Sequence, residues 1–156
     1  MPLIIKHGDL FKQDLSGVMV LHGCNAMGVM GAGFAFAVRT KFPAAYNAYR
    51  REFLRRQLFT GETIYVDIPE KNCTIANCIT QHRYGREPGV VYADYQAIER
   101  CTEQAAAKLS EFGRDRIYLP SIGTGNAAGD PGIILPILEK SFSDVDAVLW
   151  LKPNKD

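Results

Sequence analysis

No apolar run in this chain approaches the ~20 residues that a membrane-spanning helix needs. The opening stretch MPLIIKHGD places only four apolar residues ahead of its first charge, Lys6, too few for the core of a secretory leader. The four cysteines, at 24, 73, 78 and 101, form no C-x-x-C pair, and the three histidines, at 7, 22 and 82, are scattered. Neither pattern suits a zinc site, so no metal and no other cofactor is expected. Reduced, buried thiols in a reducing compartment fit the cysteine usage better. A net charge of +1 excludes any overall field toward nucleic acid or anionic lipid. G-x-G-x-x-G is absent, because Gly31 and Gly33 are followed by Phe34-Ala35-Phe36, and so is G-x-x-x-x-G-K-[ST]. The dinucleotide fingerprint and the P-loop are thereby excluded. Repeats, linkers and low-complexity segments are missing too. What remains is a chain of 156 residues, 47% hydrophobic and 22% charged, long enough to build a core without disulfides or metal. A single soluble, cytoplasmic domain is the expectation.

The apolar pattern switches repeatedly between strand and helix periods. Leu3–Lys6 and Val18–Cys24 read as strands, 32–40 as a helical segment, and Pro43 opens a longer helix through PAAYNAYRREFLRRQ. Thr63–Ile68 and Cys73–Thr80 are β-rich, separated by a turn at Pro69–Asn72, and 81–91 is a polar loop. Tyr92–Phe112 carries helical spacing with Gly113 as its stop; Arg116–Pro120 is a strand, 131–142 a helix and Asp146–Leu151 a final strand. Such alternation predicts a three-layer α/β domain around a largely buried sheet, whose ligands bind beyond the carboxyl ends of strands.

Glycine is concentrated at two of those ends. Loop one is Gly28-Val-Met-Gly31-Ala32-Gly33, and loop two is Ser121-Ile122-Gly123-Thr124-Gly125-Asn126-Ala-Ala-Gly129-Asp130. Each follows a strand and feeds a helix. Glycine permits positive φ and close backbone approach, so successive N–H groups can form an anion nest, reinforced by the helix terminus behind it. Taken singly, each loop suits a tight turn as well as a phosphate cradle; a pair facing one cleft suits a diphosphate.

The strings GDLF at 8–11, LHGCNAMGVMGAGFA at 21–35 and LPSIGTGNAAGD at 119–130 resemble the macro domain family in order and approximate separation. The resemblance runs over nearly the whole chain, so it implies that 1–156 is one macro domain. It further implies an α/β/α fold with a mixed, roughly six-stranded sheet between helical layers. The implied ligand is ADP-ribose or ADP-ribose-1″-phosphate, with ADP-ribosylated macromolecules as a further partner class; membrane and specific nucleic-acid binding are not expected. By this similarity Asp9, with Leu10 beside it, receives the adenine amino group. Gly31, Ala32 and Gly33 cradle one side of the diphosphate. Ser121, Ile122, Gly123, Thr124, Gly125 and Asn126 wrap the other side, and Asn25 touches the distal ribose.

Each role has a plainer rival. Asp9 also suits a turn, Asn25 a strand-end cap, and Asp130 before Pro131 a helix N-cap. His22, in an apolar run, suits a satisfied core position. Strand alternation places it with Val18 and Val20 on one face, and Asn25 on the other. In the branch of the family that dephosphorylates ADP-ribose-1″-phosphate, a histidine just before the Cys-Asn pair is catalytic. His22-Gly23-Cys24-Asn25 resembles that pattern, and an acid near Asp130 belongs to it. Family members that remove ADP-ribose from macromolecules often carry a lysine where this chain reads Gln81, which is no nucleophile. The expected activity is therefore phosphate release from ADP-ribose-1″-phosphate, through His22, Asn25 and Asp130. The alternatives are a non-catalytic reader of free or protein-linked ADP-ribose and a hydrolase of ADP-ribosylated protein or nucleic acid. Arg50, Arg51, Arg55 and Arg56 suit a solvated helix face.

Overall fold

The run VMVLHGCN is apolar on both faces of its alternation, the signature of a strand covered on both sides. In the computed structural model, which describes residues 3–153, it forms a central strand, β2 (Val18–Asn25). Around it stand β1 (Ile4–His7), β3 (Thr63–Ile68), β4 (Cys73–Gln81), β5 (Arg116–Leu119) and β6 (Asp146–Leu151). Their order across the sheet is β1-β6-β5-β2-β4-β3. All neighbours are parallel except β3, which runs antiparallel to β4 and makes the sheet mixed.

The helices are α1 (Gly33–Lys41), α2 (Pro43–Arg55), α3 (Tyr95–Lys108) and α4 (Pro131–Ser141). Met19 and Leu21 of β2 pack with Ile98 and Cys101 of α3 and with Ile134 and Leu138 of α4. Val18 and Val20, on the opposite face, pack with Val38 of α1 and Ala45 of α2. The α/β/α layering expected from the resemblance is thus present, with α1 and α2 on one face and α3 and α4 on the other. Among the described residues no helix is long and apolar enough to cross a membrane. The end residues 1, 2 and 154–156 of the expected single domain lie outside the described residues.

Boundaries moved by a few residues, with one instructive case. Tyr92–Asp94 is loop rather than the first turn of α3. The amides of Tyr92 and Ala93 both donate to the Ala127 carbonyl, and Asp94 caps α3 by accepting from the Ala97 amide at 3.0 Å. A tertiary partner took the donors that a helical start would have left unsatisfied.

Sheet topology creates the crevice. β5 pairs with β2 only over Val18–Val20 and ends at Leu119, whereas β2 runs on to Asn25 beside β4. Beyond β5, the segment Leu21–Asn25 therefore keeps one edge free of strand pairing. From these neighbouring strands the chain departs to opposite faces, β2 toward α1 and β5 toward α4. That is a topological switch point, where ligands of open α/β sheets bind.

Candidate functional site

Loops one and two border this crevice, and both present open backbone donors. Ala32 caps α1 without any side-chain hydrogen bond. Among the described residues, the amides of Gly31, Ala32 and Gly33, and those of Gly123, Gly125 and Asn126, donate to nothing. Gly33, Gly123 and Gly125 take φ of +61°, +79° and +65°, conformations that a side chain disfavours. Paired rows of unengaged amides at the mouth of a switch-point crevice can bind an anion with more than one phosphate.

The expected side chains fall into two groups. Asp9 stands at the end of β1, its Oδ1 accepting from the Phe11 amide at 2.9 Å, while its second oxygen has no partner among the described residues. Leu10 is buried, so its side chain contributes packing. Asp130 caps α4, accepting from the Gly132 amide at 2.8 Å, and remains exposed with one oxygen unengaged among the described residues. Thr124 closes its own turn, its hydroxyl donating to the Ser121 carbonyl at 2.8 Å. Ile122 is buried beneath loop two, and Ser121 is exposed beside it.

His22 and Asn25 are turned inward. Nε2–H of His22 donates to Asn77 Oδ1 at 2.6 Å, while Asn77 Nδ2 donates to the Ala45 carbonyl at 3.1 Å. That second bond orients the Asn77 amide and so selects the His22 tautomer. The ring is 1% exposed, 5.9 Å from the Phe34 ring, and burial lowers its pKa from 6.5 to about 4. His22 is therefore a neutral imidazole in the floor beneath α1, not a group lining the crevice. Asn25 was expected on the face opposite His22. At the end of the strand the pairing slips, Cys24 standing opposite Ile79 and Asn25 opposite Gln81, and the Asn25 side chain turns to the α2 side instead, where it meets Tyr49. Its Oδ1 accepts from the Met27 amide at 2.9 Å and from the Tyr49 hydroxyl at 2.9 Å, and its Nδ2 donates to the Val29 carbonyl at 2.8 Å. One Nδ2 hydrogen remains for a ligand.

Sequence reasoning missed the residues behind the loops. Asn77 was legible as the lone amide in the apolar run CTIANCIT. Tyr49 follows Ala45 by one helical turn on the buried face of α2, a spacing that points to the core but not to loop one. Gln81, where the lysine is missing, donates to the Arg83 carbonyl at 2.9 Å and so braces the β4–α3 loop. Three of the four α2-region arginines are also engaged within the chain: Arg50 to the Gly28 carbonyl, Arg55 to Glu52, and Arg56 to Glu52 and Glu62.

Comparison with known proteins agrees with this geometry. ADP-ribose 1″-phosphate phosphatase of Candida albicans is 23% identical over 77% of this chain and 87% of its own length. DNA ADP-ribosyl glycohydrolase of Mycobacterium tuberculosis is 25% identical over 92% of this chain, which matches 40% of that protein's length. The structure of Thermosipho africanus DarTG in complex with ADP-ribose superposes with a TM-score of 0.81 at 16% identity, covering 98% of this chain and 43% of that one. The family model for the macro domain matches residues 21–137, which take in most of β2, loop one, loop two and most of α4. By sequence match, sheet topology and the placement of its two glycine loops, this chain belongs to the macro domain family.

Proposed function

We propose that the crevice binds ADP-ribose-type ligands and that the protein hydrolyses ADP-ribose-1″-phosphate to ADP-ribose and inorganic phosphate. The observation that carries this reading is the pair of open amide groups, those of Gly31, Ala32 and Gly33 and those of Gly123, Gly125 and Asn126, at the switch point between β2 and β5. They supply donors for the diphosphate, and the free oxygen of Asp9 supplies the acceptor for the adenine amino group. Asn25 offers its remaining N–H to the distal ribose.

In hydrolysis, the oxygen of a water bonds to the terminal phosphorus as the bond from phosphorus to the anomeric oxygen breaks. The anomeric oxygen takes up a proton, and phosphate leaves. Amides already held in place stabilise the charge on the phosphoryl oxygens without reorganising. Asp130, anchored through one oxygen, orients the water with the other. His22 acts from the floor as a positioning residue, since a buried neutral ring supports Phe34 and α1 rather than touching phosphate. The activity of the Candida relative and the glutamine at 81 favour the phosphatase over lysine-dependent removal of ADP-ribose.

A second reading, removal of ADP-ribose from a macromolecule, draws on the mycobacterial relative, whose match extends over 92% of this chain. Phosphate released from ADP-ribose-1″-phosphate without added metal tests the first reading, with ADP-ribosylated DNA and protein assayed in parallel. Turnover of the phosphate ester well above background supports the phosphatase. Loss of ADP-ribose from a macromolecule, with the ester untouched, replaces it with the glycohydrolase. Binding of ADP-ribose without turnover of any of these leaves a reader.

A further inference from the structure

Loop one is gripped from outside by two consecutive residues of α2. The Tyr49 hydroxyl lies 2.6 Å from the Asn25 carbonyl and 2.9 Å from Asn25 Oδ1, donating to that pair of acceptors. Asn25 passes the grip on through the Met27 amide and the Val29 carbonyl. Arg50, next along the helix, donates through Nη1 to the Gly28 carbonyl at 3.1 Å and stacks its guanidinium 5.1 Å from the Phe53 ring. Gly28 has φ +78°, and a Cβ there would lie 2.5 Å from Phe53 and 2.7 Å from Arg50 Nη1, so the loop backbone is pressed onto the α2 surface.

These contacts converge on residues 25–29, directly ahead of the open amides of Gly31, Ala32 and Gly33. We infer that Tyr49, with Arg50, is a positioning residue that sets the spacing and direction of the loop-one amides toward the bound diphosphate. The inference rests on the proposal that this crevice takes an ADP-ribose-type ligand. Tyr49 is fully buried, and burial raises the pKa of its phenol, so it remains a neutral donor throughout the physiological range. Removing that one proton donor takes the hydroxyl from the Asn25 carbonyl and leaves Asn25 Oδ1 held only by amides of the loop itself, so the loop can relax while the ring still fills its core position.

The test is Tyr49→Phe, with Arg51→Ala on the exposed side of the same helix as the neutral control. Two readouts are taken: amide hydrogen exchange of residues 27–33 in the free protein, referenced to β4, and calorimetric affinity for ADP-ribose. Exchange in 27–33 is expected to quicken about tenfold with β4 unchanged, and affinity to fall about tenfold. The melting temperature of Tyr49→Phe should stay within a few degrees of the parent. Exchange or affinity left at the parental value by Tyr49→Phe overturns the inference, and so does quickening that extends equally to β4, which marks a packing role alone. If the parent protein fails to bind ADP-ribose, the proposed function falls, while the exchange readout still decides whether Tyr49 holds the loop.

Discussion

The two glycine loops face one crevice and are held in opposite ways. Loop one borrows its shape from side chains elsewhere: Asn25 ahead of it at the end of β2, and Tyr49 and Arg50 on α2. Loop two braces itself with backbone: the Gly129 amide donates to the Gly123 carbonyl at 2.8 Å, and the Ala128 amide to the Gly125 carbonyl at 3.0 Å. Its outside support is mostly backbone, from the Tyr92 and Ala93 amides to Ala127, with one side chain, the Tyr95 hydroxyl, accepting from the Asp130 amide at 3.0 Å. The difference teaches where each loop is vulnerable. Loop two should break chiefly when a Cβ is added, whereas loop one, closed to a Cβ at Gly28, should also break when a distant polar atom is removed.

The largest effect is expected at Gly129. A Cβ there would collide with the Gly123 carbonyl oxygen and come within 2.9 Å of Ile134 Cδ1. Gly129→Ala should destabilise the protein by about 3 kcal/mol in denaturant unfolding and abolish ADP-ribose binding. Parental stability with intact binding would show that loop two is not braced in this way.

Acid should act on the loop-one side. Unfolded His22 titrates near 6.5 and folded His22 near 4, so between those values the unfolded chain takes up a proton that the folded protein refuses. Its stabilising contribution is complete above pH 6.5 and is lost as pH falls toward 4. The loss amounts to about 2 kcal/mol by pH 5, and His22→Gln should remove that part of the slope in urea titrations at pH 7 and pH 5. An identical slope in the variant would assign the acid sensitivity to other groups.

Asp130 sharpens the contrast with the smallest change. Asp130→Ala deletes the α4 cap, which should cost about 1 kcal/mol. Asp130→Asn keeps an oxygen for the Gly132 amide and should leave stability near the parental value. If the carboxylate orients water, phosphate release by Asp130→Asn should still fall by about 10²-fold. Equal release by parent and Asn variant would reduce Asp130 to a cap.

The legible part of the site was its backbone. Glycine spacing at 28–33 and 121–129 announces open, positive-φ turns, because few other residues tolerate them. Asp130-Pro131 likewise announces a helix start. Polar residues within the strand were harder to read. Period-two alternation grouped His22 correctly with Val18 and Val20, but Asn25, where β2 ends and its pairing with β4 slips, turns to the α2 side to meet Tyr49. The last residue of a strand is freed from the alternation by its tertiary contacts, and a partner 24 positions away leaves no mark in the local sequence.

By itself, then, the sequence determined the alternation of strand and helix, the buried central strand and the two bare-backbone loops. These follow from local propensity, period and glycine's missing Cβ. Only the tertiary structure decided that β5 stops short beside β2, that the loops flank that gap, that Tyr49 grips the chain leading into loop one and that Asn77 holds His22. Those outcomes depend on contacts between residues 24 and 55 positions apart, Tyr49 with Asn25 and His22 with Asn77. No local pattern encodes a partner at that distance; strand order and packing bring them together.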